Sequence, residues 1–527
     1  MAKFVTAQEA ISQLKDGMTV GIGGFGAYSP CDELLEALAE RFRNCGHPQG
    51  LTIVAGICGG NNKEDNIAFN RLREPGLVET LIAAHVGNAP VLAGMIRNNE
   101  IAGFLLPLGV VMHLYRAAAG RKPGVLTHVG KGTFADPRIE GCRANDKARE
   151  QGREVVSLLT INGQDSLFYP TILLDACLIR GSYADEDGNI SIQREAITGE
   201  QLELAEAVHN NGGVVIVQVE RIVKQGSLHP RDVRIHKSLV DYVVRSRPEN
   251  HLQGYSCPQY RPELVGEIRI PTQELAPMPL NIRKVVARRA AMELRPGSLI
   301  NLGIGIPSGV ASVANEEGIA GQISISVESG PMGGVPVEGV GFAASVNAET
   351  IYSICDIFDQ YDGGILDMAC LGAGEIDQKG NVNVSKFGSR CTGPGGFINI
   401  TQNAHSVCFL GTFTAGKVEA DIGSGVLKIK KDGTRTKFVK EVEQITFSAD
   451  FARQAGQNVL YITERAVFRL TDEGVTLTEI APGADLQRDI LDRMDFMPCV
   501  AKDLHLMDER IFIQARMLLN TEGEWDA

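Results

Sequence analysis

Short apolar runs alternate with amphipathic stretches along the whole chain, and glycine or proline closes most of them. Near the start, Thr6 and Glu9 form the pattern of a capping box, which predicts a helix that ends at Gly17. Apolar runs with strand-like patterns alternate with helical patterns further on, and this order is typical of α/β layers. The predicted strands cover residues 51–55, 176–180, 214–218, 324–327 and 407–410.

One pattern occurs twice. Both halves show a helix, a glycine, a short apolar strand and then a glycine-rich turn, which covers residues 23–26 in the first half and 303–307 in the second. A Gly-Asn turn between strand-like runs also recurs, at Asn189 and Asn381, and predicts a hairpin in each half. The repeats predict two structurally similar open α/β domains that arose by internal duplication. Coincidence is the alternative, because glycine turns often follow strands.

A segment poor in helix and strand signals separates the halves. Five prolines lie within residues 255–280, and each fixes φ and removes a backbone donor. We therefore predict an N-terminal domain over residues 1–254, a proline-rich linker over 255–280 and a C-terminal domain over 281–527.

Composition narrows the function classes. The chain has 527 residues, of which 44% are hydrophobic, and a formal net charge of −13, which disfavours a nucleic-acid or membrane-surface partner. Eleven cysteines are scattered without a C-x-x-C pair, so neither a disulfide framework nor a zinc site is indicated. No signal peptide is visible and the longest apolar stretch, 104–115, is too short to span a bilayer. These features predict a cytoplasmic protein without a metal.

Two nucleotide-binding motifs are only approximated. Residues 21–26 fit G-x-G-x-x-G, but the next strand ends in a glycine-rich segment, 56–60, without the carboxylate that a nicotinamide site needs. Residues 124–132 are one residue too long for a P-loop and have glycine where serine or threonine would bind magnesium. Both interpretations are therefore disfavoured.

A carboxylate and a glycine cluster are the stronger candidates. Glu328 ends an alternating apolar strand and enters a Gly/Pro loop, where open α/β sheets place functional groups. The glycines of residues 393–396 offer free backbone N–H groups, which an oxyanion hole requires. The alternatives are a solvated glutamate at a strand end and an ordinary tight turn.

Several motifs in order resemble the family I coenzyme A transferases. Residues 301–307, 327–330 and 393–396 are similar to one half of that family, and residues 23–26 and 184–189 look like the other half. The resemblance covers nearly the whole chain and is closest to single-chain acetate and propionate CoA-transferases.

The resemblance implies transfer of coenzyme A from a short-chain acyl-CoA to a small carboxylic acid by a ping-pong route. Glu328 would form the covalent glutamyl intermediate and Gly396 would supply a backbone donor. Coenzyme A would be a substrate, with no permanently bound cofactor, and the enzyme would be a homo-oligomer. The residues implied to contact coenzyme A are Gly303, Ile304, Gly305, Ile306, Pro307 and Lys417, and those implied on the acyl side are Gly24, Phe25 and Leu108.

One position departs from the family. Relatives have a glutamine where this chain has Leu108, and a leucine side chain donates no hydrogen bond. Two other functions stay open: an acyl-CoA hydrolase, in which water resolves the glutamyl thioester, and a non-catalytic ligand-binding protein on the same fold.

Overall fold

The computed structural model describes residues 2–255, 257–271 and 277–519. Its helices are short and lie between the strands, as the alternating pattern predicts. Their bounds are Ala7–Ile11, Asp32–Cys45, Pro90–Arg97, Leu108–Ala119, Asp146–Gln151, Gln201–Asn210, Ile282–Ala291, Gly309–Glu317, Ile354–Asp362, Phe397–Asn403 and Ala449–Gln454.

The first half is built on a parallel sheet. Eight strands lie side by side, and every neighbouring pair along this path is parallel. In spatial order they are Lys3–Phe4, Tyr242–Arg245, Val214–Val223, Ala176–Asp185, Thr19–Ile22, Leu51–Ile57, Val78–His85 and Ala102–Leu105.

The second half has a mixed sheet with a parallel centre. Antiparallel pairs lie on both sides of this centre, and the edge pair Gly474–Ile480 with Cys499–Leu506 is again parallel. In spatial order its strands are Thr350–Ile351, Pro331–Met332, Ser324–Ser326, Leu299–Leu302, Met368–Gly372, Ser406–Leu410, Asn458–Ile462, Ala466–Thr471, Gly474–Ile480 and Cys499–Leu506.

The two sheets share the order of their five central strands. In each half the strand before the glycine-rich turn lies at the centre, the next strand along the chain lies on one side, and three later strands follow in sequence on the other. The predicted hairpins are confirmed, since antiparallel strands meet at both turns. Asn189 and Asn381 each donate a hydrogen bond from side-chain Nδ2 to the aspartate four positions earlier, at 2.9 Å on Asp185 and 3.0 Å on Asp377. This shared topology supports the predicted duplication.

The ends of the first helix and of the buried strands differ from the sequence prediction. The capping box at Thr6 is present, but its helix ends at Ile11, well before Gly17. The next N–H groups, of Gln13 and Leu14, bond the carbonyls three residues back, at 3.2 Å and 3.1 Å, instead of continuing the helical pattern. Buried strands run longer than predicted, as in Ala176–Asp185, which is flanked by strands on both sides.

The predicted linker is only partly described, since residues 256 and 272–276 lie outside the described residues. The described part of the linker contains one short 3₁₀ helix, Pro262–Leu264. The boundaries that we assign to the two domains remain a prediction.

One continuous hydrophobic core joins the two halves, and a second core lies within the second half. The helix Leu108–Ala119 of the first half packs against the helix Ile354–Asp362 of the second. Among the described helices, none is long and apolar enough to cross a membrane.

Candidate active site

Glu328 lies at the tip of a tight turn between two strands of the second sheet. The strands Ser324–Ser326 and Pro331–Met332 pair antiparallel. The turn closes through a hydrogen bond in which the Gly330 N–H donates to the Val327 carbonyl at 2.9 Å. Gly330 has a φ of +121°, which favours glycine. The glutamate is thus held on a rigid hairpin end.

The carboxylate of Glu328 lies against the backbone of Gly396, which precedes the helix Phe397–Asn403. The Gly396 N–H lies close to this carboxylate and stabilises its ionised form. A β-carbon at position 396 would lie 1.9 Å from Oε2 of Glu328. Only glycine therefore permits this approach.

Burial raises the pKa of Glu328 from 4.5 to about 7, although the Gly396 N–H opposes the rise by stabilising the carboxylate. The side chain is only partly exposed, toward the adjoining cavity. Carboxyl groups with a pKa displaced this far by their surroundings are typical of functional sites.

Glu328 and Gly396 line a cavity of about 490 Å³ between the two halves. Its wall is mostly apolar, and aromatic rings from both halves contribute to it. These rings are Phe25 from the first half and Phe342, Phe387 and Phe397 from the second.

Few polar side chains reach this wall. They include the asparagines at positions 62, 88 and 301, together with His85 and Glu328. In the part of the chain that the structure describes, no three His, Cys, Asp or Glu side chains are grouped to hold a metal ion.

The loop that carries Gly396 belongs to the second half by sequence, but its hydrogen bonds reach the first half. The Gly395 N–H donates to the Ala84 carbonyl at 3.0 Å, and the Leu108 N–H donates to the Gly395 carbonyl at 2.9 Å. The position of the Gly396 N–H relative to Glu328 therefore depends on the docking of the two halves.

Asn399 strengthens this docking. Its Oδ1 accepts the Gly109 N–H at 3.1 Å, and its Nδ2 donates to Asp362 Oδ1 at 2.9 Å. A β-carbon at position 109 would lie 2.3 Å from Nδ2 of Asn399. The close contact fixes the start of the helix Leu108–Ala119 against the helix Phe397–Asn403.

The turn implied to contact coenzyme A is divided between the cavity and its surroundings. Gly303 and Ile304 line the cavity, and Ile304 as a whole residue is 59% exposed. Residues 305–307 are not part of the wall and lead toward the helix Gly309–Glu317. Lys417 also lies off this wall: its side chain is 84% exposed and its ammonium pairs with Glu419 at 2.9 Å.

Of the residues implied on the acyl side, Phe25 lines the cavity and Gly24 is not part of its wall. The Gly24 N–H donates to Oε1 of Glu200 at 3.0 Å. Burial raises the pKa of Glu200 to about 8. Gly24 therefore anchors the loop from which Phe25 reaches the cavity.

Leu108 has a different place from the one expected. It is fully buried, its side chain packs against Gly56, and it is not part of the cavity wall. Because it opens a helix, its free N–H points out of the helix end and meets Gly395. Its backbone, not its side chain, bears on the site.

His85 is a cavity residue that the sequence motifs missed. Burial, reinforced by the positive charge of Arg390, lowers its pKa to about 4, so the imidazole is neutral at pH 7. The Gly87 N–H donates to its Nδ1 at 3.2 Å, which assigns the proton to Nε2. The available signal, a histidine ending the apolar strand Val78–His85, is too common to have found it.

Comparison with known proteins gives a consistent result. A family model described as coenzyme A transferase matches residues 4–246. Caffeate CoA-transferase of Acetobacterium woodii is 45% identical over 517 residues, which cover 97% of this chain and 98% of that protein. Acetate CoA-transferase YdiF of Escherichia coli K12 is 39% identical, with 97% and 96% covered. The crystal structure of acyl-CoA transferase YdiF from Escherichia coli O157:H7, a thioester complex with CoA, superposes with a TM-score of 0.92 at 38% identity, over 98% of this chain and 97% of that one.

Proposed function

Because the chain belongs to the coenzyme A transferase family, we propose that it transfers coenzyme A from an acyl-CoA to a free carboxylic acid through a glutamyl-CoA thioester on Glu328. The observation that carries this proposal is the placement of Glu328. Its carboxylate is held on a hairpin tip beside the Gly396 N–H and faces a largely apolar cavity.

The chemistry proceeds by exchange at two carbonyl groups. A Glu328 carboxylate oxygen attacks the thioester carbonyl, the C–S bond breaks, and an acyl–glutamyl anhydride and CoA thiolate result. The thiolate then attacks the Glu328 carbonyl, which releases the acyl group as a carboxylate and leaves the glutamyl thioester. A second carboxylic acid reverses both steps. Each exchange conserves activation, so no ATP is consumed.

The Gly396 N–H has a clear part in this route. When thiolate attacks the glutamyl carbonyl, negative charge develops on a Glu328 oxygen, next to the N–H that already contacts that carboxylate. A backbone donor fixed in advance stabilises such an oxyanion by about 3–4 kcal/mol. The neutral His85, with its proton on Nε2, is a further donor on the wall of the same cavity.

The apolar side chains of the cavity wall indicate which carboxylic acids the enzyme accepts. Aromatic and aliphatic side chains surround Glu328, and each buried CH₂ of a ligand contributes roughly 0.8 kcal/mol. This favours acids with hydrocarbon surface over acetate, from short alkyl chains to aryl groups. The similarity to both a caffeate and an acetate CoA-transferase supports this range.

The test is detection of the covalent intermediate. The protein is incubated with propionyl-CoA and no acceptor acid, reduced rapidly with borohydride or digested at once, and the peptide that contains Glu328 is analysed by mass spectrometry. We expect a CoA-mass adduct, or the alcohol formed by its reduction, on Glu328 and none in Glu328→Ala. The exposed Glu150, on the helix Asp146–Gln151, provides a matched control, Glu150→Ala.

The alternatives give different results. A hydrolase would release free CoA continuously without an acceptor acid. A non-catalytic ligand-binding protein would form no adduct and exchange no CoA between propionate and butyrate. Either result would overturn the proposal.

A further inference from the structure

Glu200 is a buried carboxyl group to which the proposed reaction gives no part. It lies directly before the helix Gln201–Asn210, and none of its surface is exposed to solvent. Its Oε1 accepts a hydrogen bond from the Gly24 N–H at 3.0 Å. In the part of the chain that the structure describes, its Oε2 has no protein partner. A buried polar atom without a partner is costly, so the presence of this carboxyl group calls for a reason.

The surroundings of Glu200 give it no compensating charge. The titratable groups that interact with it are Glu203, Tyr115, Cys31 and Cys355, and none of these is a cation. Burial raises the pKa of Glu200 to about 8, so its carboxyl group is largely protonated at pH 7. An ion pair therefore does not account for Glu200. The carboxyl group acts in the fold as an uncharged hydrogen-bond acceptor.

The group that Glu200 holds is the backbone of a tight loop. Gly24 has a φ of +115°, and a β-carbon there would lie 2.8 Å from the Ser29 carbonyl oxygen. The next residue, Phe25, exchanges two backbone hydrogen bonds with Tyr28, at 3.1 Å and 2.9 Å. Phe25 lines the catalytic cavity. The hydrogen bond from Gly24 to Glu200 thus fixes the backbone next to a residue of the cavity wall.

The second half of the chain contacts the residues on both sides of Glu200. The Ile354 N–H donates to the Gly199 carbonyl at 3.2 Å. The Ser353 hydroxyl donates to Oε1 of Glu203 at 3.3 Å. The position of Glu200 therefore depends on the second half as well as on its own helix.

Resting on the proposed function, we propose that Glu200 is a positioning residue for the acyl side of the catalytic cavity, where its Oε1 holds the Gly24 N–H and thereby sets the place of the Phe25 ring. This role requires a neutral acceptor and no ionisable group, so glutamine can replace Glu200 and an apolar residue cannot. A displaced Phe25 ring loses contact with the hydrocarbon part of an acyl group. Glu200 therefore contributes to the choice between long and short acyl groups.

The test compares three replacements of Glu200 in the full chain. Glu200→Met fills the same space without the oxygen acceptor, Glu200→Ala removes both, and Glu200→Gln keeps both. In Glu200→Met and Glu200→Ala we expect kcat/KM for hexanoyl-CoA to fall about tenfold and that for acetyl-CoA to change by less than about twofold. Glu200→Gln should keep the selectivity of the unmodified protein. The partly exposed Glu206, on the same helix, provides a matched control, Glu206→Ala, which should change neither value.

A double-mutant cycle shows whether Glu200 acts through Phe25. Since Phe25→Ala removes the ring, adding Glu200→Met to that variant should change the selectivity little further. Hydrogen–deuterium exchange gives a readout without turnover. The peptide that covers residues 23–28 should take up deuterium faster in Glu200→Met and at the unmodified rate in Glu200→Gln. A protein that transfers no CoA would contradict the proposed function, whereas the exchange rate tests the positioning of the loop separately.

Four results would overturn the inference. The first is an equal loss of kcat/KM for acetyl-CoA and hexanoyl-CoA in Glu200→Met, which would indicate a purely structural role. The second is a Glu200→Gln variant as impaired as Glu200→Met, which would mean that the ionisable group itself is needed. The third is unchanged deuterium uptake in both variants that lack the acceptor. The fourth is an undiminished effect of Glu200→Met when Phe25→Ala is already present.

Discussion

Glu328→Gln should stabilise the folded protein at alkaline pH while abolishing transfer. Glutamine has nearly the same shape and still accepts the Gly396 N–H, but it carries no charge in a poorly solvated position. Burial raises the pKa of Glu328 from 4.5 to about 7, and at ~1.4 kcal/mol per pH unit the ionised form costs the fold about 3 kcal/mol.

The raised pKa of Glu328 determines how the free energy of unfolding changes with pH. Since the folded protein binds the Glu328 proton more tightly than the unfolded chain does, protonation stabilises the fold. That contribution is complete below pH 4.5 and is lost as the pH rises through about 7. The advantage of Glu328→Gln should therefore be absent near pH 4.5 and reach about 3 kcal/mol by pH 8.

Urea unfolding followed by circular dichroism at pH 5 and pH 8 measures this difference. The exposed Glu150 supplies the control, because Glu150→Gln removes one carboxylate without relieving any burial. If Glu328→Gln is no more stable than the unmodified protein at pH 8, or if its advantage is the same at both pH values, the argument from burial is wrong.

Four further outcomes are expected. The rate constant kcat/KM for acyl-CoA should fall tenfold per pH unit below about 7, because Glu328 must be ionised to attack; a profile flat to pH 5 would contradict this. In Gly396→Ala, the new β-carbon would lie 1.9 Å from Glu328 Oε2. This variant should lower kcat by ~10²-fold or more and preserve CoA affinity; a kcat within twofold of the unmodified protein would refute the contact. Leu108→Gln should lower the free energy of unfolding by about 1–3 kcal/mol, because it buries an amide group. It should leave the relative kcat/KM values for C2 to C6 acyl-CoAs unchanged, and an altered preference would place this side chain in the acyl site. Asn399→Asp should destabilise the protein more than Asn399→Ala, because a second carboxylate would face Asp362, and equal urea midpoints would argue against that link.

Local patterns predicted much of the fold. The capping box at Thr6 and the hairpins at Asn189 and Asn381 depend on residues within a few positions of one another, and each was found as the pattern indicated. The ends of elements were less predictable, because neighbouring strands decide how far a buried strand extends. The strand that begins at Ala176 continues to Asp185 because the strand Val214–Val223 pairs with it up to that residue, and Ile190–Ser191 pairs with it near its end.

The candidate site was predictable as a set of residues but not as an arrangement. The strand-end position of Glu328 and the glycines of 393–396 are visible in the sequence. Their contact is not, because Glu328 and Gly396 lie 68 positions apart in the sequence and only the folded chain brings them together. The placement of Leu108 depended on the direction of a helix end, and that of Lys417 on its pairing with Glu419; neither is written in a short motif.

The Gly395 backbone is hydrogen-bonded to Ala84 and Leu108 of the first half. The first half therefore helps to shape the active site, although the nucleophile Glu328 belongs to the second half. A chain cut within residues 255–280 would leave Glu328 and Gly396 on one fragment, yet that fragment would lack the partners that shape its glycine loop. Turnover would return only when the complementary fragment reassociates. The rate of turnover should therefore depend on the contact between the two halves. When the halves separate partially, activity should be lost before either half unfolds.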